Sequence, residues 1–208
     1  MTSDDGSGRG RSDTVRRVVI LVAALNLAYF GVEFAVALTI GSVSLFADGV
    51  DFLEDASLSF LIAVALGWSA ARRARVGMIL AGVLLVPALA AVWAAVTKLV
   101  SPVSPDPVPL TVTGVGALVV NLSCALMLAR VRAHAGSLTR AAFLSARNDV
   151  AANVAIIAAG VATAFTHSVW PDLIVGLGIV LMNAGAAGEV WLTARDEHRA
   201  AVSARRDR

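Results

Sequence analysis

SVSLFADGVDFLEDA, which spans residues 42–56, places four acidic residues inside a stretch that is otherwise apolar: Asp48, Asp51, Glu54 and Asp55. Asp51 and Asp55 are four residues apart, so a helix carries them on one face, and Asp48 extends the same face by nearly one turn. An ionisable group in lipid costs ~2.5 to 3.5 kcal/mol. We therefore expect this face to contact other helices or a water-filled path rather than lipid.

The rest of the chain has the composition of a membrane protein. Of its 208 residues 58% are hydrophobic and 15% are charged, and the mean hydropathy is +0.78, which excludes an ordinary soluble domain. Six apolar stretches are long enough to cross a hydrocarbon core of about 30 Å: approximately 15–38, 43–69, 76–98, 109–131, 140–165 and 172–193. We predict an all-α fold, a polytopic bundle of six transmembrane helices.

The arginine clusters predict the orientation of this bundle. They lie before the first stretch, after the second, between the fourth and fifth and after the sixth, whereas loops 39–42, 99–108 and 166–171 contain no Arg or Lys. Positive residues collect on the cytoplasmic side. We therefore expect a multi-pass protein of the plasma (inner) membrane with both termini in the cytoplasm, and no basic face for nucleic acid.

Composition also predicts how the chain is divided. Residues 1–13 are rich in Ser, Gly, Asp and Arg, which is typical of a disordered cytoplasmic tail. The transmembrane domain is expected over 14–194, and 195–208 form a short cytoplasmic tail.

The fifth stretch carries a second polar face. In TRAAFLSARNDVAANVAIIAAG, residues 139–160, Ser145, Asp149 and Asn153 follow one another at intervals of four, and Asn148 is adjacent to Asp149. The second helix runs inward and the fifth runs outward, so Asp51 lies roughly 12 Å below the outer edge and Asp149 roughly 15 Å above the inner edge. These carboxylates are expected to meet near the membrane midplane.

Converging carboxylates at that depth can replace the hydration shell of a cation, or they can bind and release protons. An empty site should hold protons and an occupied site should lose them, so metal-for-proton exchange follows. We expect Asp51, Asp55 and Asp149 to bind the ion, with the shell completed by water or by Ser145, Asn148 or Asn153. The divalent metal ion and the protons are the substrates, and no resident cofactor is expected.

At these residues the sequence resembles the cation diffusion facilitator (cation efflux) family of proton-coupled metal exporters, and the resemblance covers nearly the whole chain. GSVSLFADGVDFLEDA (41–56) is similar to the second-helix signature of the family, and RAAFLSARNDVAAN (140–153) to its fifth-helix segment. TKLVSPVSPDPV (97–108) resembles its third-helix exit, and VWPDLIVGLGIVL (169–181) its sixth-helix entry. The resemblance implies six helices with cytoplasmic termini, metal ligands in pairs at i and i+4, and a homodimer.

Two departures from the family pattern change what is expected. The fifth-helix pair commonly begins with His, whereas this chain has Ser145, and its own histidines, His134, His167 and His198, lie at helix ends or in loops. An all-oxygen site is harder, which shifts the expected cargo from zinc toward manganese, iron(II), cobalt or magnesium. About 15 polar residues follow the sixth stretch, so we expect a short form without the cytoplasmic C-terminal domain of the family.

Several polar residues near this site have open roles. Glu54 could flank the acidic face or pair with Arg147 of the fifth helix. Asn26, Asn121 and Asn183 are interpreted as structural, joining helices by hydrogen bonds. Glu33 shares a face with Asn26 and could either line the pathway or join helices.

Three functional classes remain open. The favoured one is a secondary transporter that is not an enzyme: proton-coupled efflux of divalent cations of the zinc, manganese, iron and cobalt class. The alternative is a proton or monovalent-cation conductor that uses the same carboxylates. An intramembrane aspartyl protease is the third, since two facing Asp residues can share a proton, but the Tyr-Asp and Gly-x-Gly-Asp contexts of that enzyme group are absent from the sequence.

Overall fold

The computed structural model describes residues 5–65, 70–131 and 136–183, and six helices lie within them. Helix α1 spans Asp5–Ile40, α2 Val43–Ala65, α3 Ala70–Val100, α4 Pro107–Val131 and α5 Gly136–Thr166, and α6 spans Trp170–Asn183. The described ranges contain no β-strand. This confirms the predicted all-α bundle of six helices.

Length and apolar composition fit these helices to a membrane. Three are long and apolar enough to cross a bilayer, over Asp13–Ile40, Pro107–Val131 and Ala142–Thr166. The C-terminal part of α3, Val86–Val100, and α6, Trp170–Asn183, are shorter apolar helical segments. The acidic helix α2 has 23 residues and is therefore about 35 Å long. Large apolar side chains such as Trp93 and Phe165 are exposed on the outer surface of the bundle, as expected where lipid replaces water.

Four of the helices form a closed ring. Helix α1 packs on α2 and α4, and α5 packs on α4 and α2, while α3 lies against α2 outside this ring. One apolar core contains residues from all six helices, including Leu45 of α2, Ile156 of α5 and Ile179 of α6. Helix α2 is thus packed on several sides by other helices, which shields its acidic face from lipid.

The chain ends differ from the sequence prediction or lie beyond the structure. Helix α1 begins at Asp5, so residues 5–13, predicted to be disordered, continue the first helix. Backbone hydrogen bonds can extend a helix from a stable span without a core of its own. The predicted tail 195–208 lies outside the described residues.

The turn between α1 and α2 places the start of the acidic helix. Gly41 has a φ of 65°, a conformation that glycine adopts without the steric cost of a Cβ. Ser42 then caps α2, because its Oγ accepts a hydrogen bond from the Leu45 amide at 3.1 Å.

Close packing of α6 on α2 depends on one glycine. A Cβ on Gly176 would lie 2.8 Å from the Ser44 amide nitrogen, whereas a Cβ on Gly178 would meet nothing within 4 Å. We expect Gly176→Ala to destabilise the protein by about 1–3 kcal/mol, because backbone atoms must move apart. The measurement is thermal unfolding in detergent, with Gly178→Ala as the matched control. Equal unfolding temperatures for the two variants would contradict this account of the packing.

Candidate cation site

Two hydrogen bonds set the register between α2 and α5. Ser145 Oγ donates to Asp55 Oδ1 at 2.9 Å, and Asn153 Nδ2 donates to Asp48 Oδ2 at 2.5 Å. The two contacts are about two turns apart on each helix, and they follow opposite chain directions. The helices are therefore antiparallel, and Asp149 lies at the level between these two contacts.

Asp55, Ser145 and Asp149 form one part of the site. The Asp55 and Asp149 side chains are within hydrogen-bonding reach of one another, and both residues are buried, at 9% and 7% exposure. Local periodicity explains the grouping, since Ser145 and Asp149 are one turn apart on α5. This part of the predicted site is brought together in the structure.

Asp51 is the third predicted carboxylate, and it contacts α6, a helix that the spacing of the acidic residues does not connect to the site. Its Oδ1 accepts a hydrogen bond from Asn183 of α6, while its Oδ2 is buried and has no hydrogen-bond partner among the described residues. Asp51 lies within electrostatic range of Asp48 and of Asp149, and the effect of Asp48 is the larger. The sequence held one signal for Asn183, because it lies midway along the predicted sixth stretch, at the depth of the carboxylates.

Asn153 and Asn148 do not join this group. Asn153 donates a hydrogen bond to Asp48, and its Oδ1 accepts a hydrogen bond from Asn121 at 3.0 Å. Asn153 is therefore closer than Asp149 to the α1–α2 turn. Asn148 is on the exposed side of α5. The structure therefore brings Asp55, Asp149 and Ser145 together, places Asp51 one turn from Asp55 on α2, and leaves Asn148 and Asn153 outside this group.

Arg147 and Glu54 do not form the pair that was considered for them. Arg147 is exposed and Glu54 is half-buried, and among the described residues the ion pair is that of Lys98 with Asp172. The adjacent position of Glu54 beside Asp55 turns it away from the face that meets α5. Glu54 is thus a flanking residue in this structure.

The carboxylates of the site are held by hydrogen-bond donors rather than by cationic side chains. Ser145 donates to Asp55 and Asn183 donates to Asp51. In the described part of the chain no group of three or more His, Cys, Asp or Glu side chains is already arranged around a point where a metal ion could be held.

A second polar group joins three helices where α2 begins. Asp172 of α6 accepts hydrogen bonds from Ser42 Oγ and Ser44 Oγ, both at 2.6 Å, and from the amides of Val43 and Ser44. Lys98 of α3 contacts the same carboxylate at 2.9 Å and the Gly41 carbonyl at 2.5 Å. Asp172 therefore caps α2, where a negative charge also stabilises the helix dipole.

Lys98 precedes the outer loop 99–108, a position from which a Lys side chain can extend to the lipid headgroups. In the structure it turns inward instead, and the residue is only 7% exposed. Asp172 is buried next to it, and the attraction between the two charges, together with the other hydrogen bonds to Asp172, offsets the cost of removing both from water. Position in the sequence could not reveal this partner, which is 74 residues away.

Comparison with known proteins identifies the family. The family model described as the cation efflux transmembrane domain matches residues 19–196, which include all the site residues discussed above. No curated protein matches the chain. The match agrees with the resemblance seen in the second and fifth helices. The chain therefore belongs to the cation efflux, or cation diffusion facilitator, family of membrane transporters for metal cations.

Proposed function

We propose that the protein exports divalent metal cations across the plasma membrane in exchange for protons, and that Asp51, Asp55 and Asp149 bind the cation. The observation that carries this proposal is the burial of Asp51, Asp55 and Asp149 where α2 packs on α5, and none of the three has a basic partner among the described residues. Family membership supports transport of a metal cation.

Charge balance makes exchange the expected mode of transport. Carboxylates in a low-dielectric interior must be neutralised, and here only a bound cation or bound protons can do so. Because a carboxylate must be deprotonated to bind metal, loading the cation displaces protons, and protonation displaces the cation. The two substrates compete for the same oxygens, which is the basis of an antiporter.

The ligand atoms favour a hard cation. Ser145 Oγ lies 2.9 Å from Asp55, so the position where the family commonly has His supplies an oxygen here. Asn183 of α6 donates from its amide Nδ2 to Asp51 Oδ1, so it orients a carboxylate oxygen and adds no soft ligand. By ligand preference this set suits manganese, iron(II), cobalt or magnesium better than zinc.

Alternating exposure of this site needs movement of α2 relative to α5. The two helices are joined at the level of the site by single hydrogen bonds from Ser145 and Asn153. Separation at one end of the contact and closure at the other would open the site to each side in turn, as in other secondary transporters. The cytoplasmic position of both termini is part of this proposal.

The test is metal-driven proton flux in proteoliposomes that contain a lumenal pH probe. Manganese, iron(II), cobalt, zinc, cadmium and magnesium are added in turn, with protein-free liposomes as the control. Proton movement that requires a divalent metal, and is largest for the harder ions, is expected. Proton leakage that is indifferent to all six metals would support the proton or monovalent-cation conductor instead, and absence of both metal uptake and proton flux would overturn the proposal.

A further inference from the structure

Glu33 and Asp48 form a second pair of buried carboxyl groups, on the side of Asp149 that is nearer to the α1–α2 turn. Glu33 is on α1 and Asp48 is on α2, and both residues have 0% exposure. Their side chains are within hydrogen-bonding reach of one another. Asp48 is nearly one turn closer than Asp51 to the α1–α2 turn, so this pair lies on one side of the proposed cation site.

Three of the four oxygens of this pair lack hydrogen-bond partners among the described residues. They are Glu33 Oε1, Glu33 Oε2 and Asp48 Oδ1. The fourth, Asp48 Oδ2, accepts the 2.5 Å hydrogen bond from Asn153, which Asn121 holds in turn. The amide chain thus fixes the orientation of Asp48 and leaves its other oxygen free toward Glu33.

The chemistry of these oxygens selects the ligand. Ionised carboxylates accept hydrogen bonds but donate none, so the two groups cannot pair directly. One shared proton would engage only two of the three open oxygens and would neutralise one charge, whereas two protons would neutralise both charges, as at the first site. A divalent cation neutralises both charges and can bind all three oxygens, which are the ligand type that hard cations prefer.

We propose that Glu33 and Asp48 form a second divalent-cation site, through which the cargo passes between Asp149 and the α1–α2 end of the bundle. This inference rests on the proposed function, because it assigns the same cargo to a second position. In the expected orientation the second site is on the exit side.

The experiment measures metal bound at equilibrium to the purified full-length protein in detergent, by dialysis and elemental analysis, with the same six metals. Asp149→Asn impairs the first site in all samples. We expect Asp149→Asn to bind at least one of the six metals. In the double variant that also carries Glu33→Gln, we expect at least tenfold less bound metal per protein at the same concentration of free metal. Addition of Asp106→Asn, which changes an exposed loop carboxylate, should leave the occupancy unchanged.

Two results would overturn the inference: Asp149→Asn binds none of the six metals, or Glu33→Gln leaves its occupancy unchanged. Helicity by circular dichroism and elution in gel filtration establish that each variant is folded, and Asp48→Asn replaces Glu33→Gln if the latter is not. Failure of the proposed function has a different signature, because the wild type would then move no metal in proteoliposomes.

Discussion

Asp149→Asn is expected to reduce metal-driven proton flux in proteoliposomes by about a hundredfold or more. Asp149 is within reach of Asp55 and interacts with Asp51, so its loss removes one of three charges that would hold the cation. Changes in residues that only support a metal ligand already cost about 10–100-fold, and loss of a ligand should cost at least as much. The measurement is initial flux at saturating metal for equal amounts of reconstituted protein.

The Asp149→Asn protein should still fold, so a loss of flux can be attributed to the site and not to a loss of folded protein. An uncompensated buried charge is unfavourable, so its removal relieves a desolvation cost, and Asn keeps the size and hydrogen-bonding capacity of the side chain. Asp106→Asn serves as the control, because Asp106 is exposed in the loop before α4. Wild-type flux from a well-folded Asp149→Asn protein would show that the cation site has been assigned wrongly.

Asp172→Ala is expected to lower the free energy of unfolding by about 3–5 kcal/mol, because Lys98 would be left buried without its counter-charge. The same change removes the acceptor for the side chains and amides at the start of α2. Thermal or denaturant unfolding in detergent measures the loss.

The chain offers a matched comparison and a double-mutant cycle for this prediction. Asp106 also accepts a hydrogen bond from a backbone amide at a helix start, that of Val108, but it is exposed, so Asp106→Ala should cost only about 1 kcal/mol. Lys98→Ala combined with Asp172→Ala should cost less than the two single changes added together, since no unpaired charge remains. Additive losses would contradict direct coupling of the two side chains.

Much of the fold could be predicted because it depends on local pattern. Apolar stretches long enough to span a bilayer predicted six helices, and all six are present in the described residues. Intervals of three and four placed Asp48, Asp51 and Asp55 on one face of α2, and Ser145 and Asp149 on one face of α5. The requirement that buried carboxylates avoid lipid then predicted that these two faces meet.

The partners of individual residues could not be predicted in the same way. Asn153 follows Asp149 by four residues, as a ligand would, but it is hydrogen-bonded to Asp48. Lys98 lies beside an outer loop, as an interfacial residue would, but it is hydrogen-bonded to Asp172. Asn183 reaches Asp51 from a helix 132 residues further along the chain. Each of these contacts depends on how helices rotate and slide against one another.

By itself, then, the sequence determined the number of helices, their apolar outer surface and the acidic faces of α2 and α5, because these follow from periodicity and from the cost of placing charge in lipid. Only the tertiary structure decided that Asp51 faces α6, that Glu33 faces Asp48, and that Asp172 caps α2. The physical reason is that these contacts depend on helix rotation and register, which are set by side-chain packing over the whole bundle.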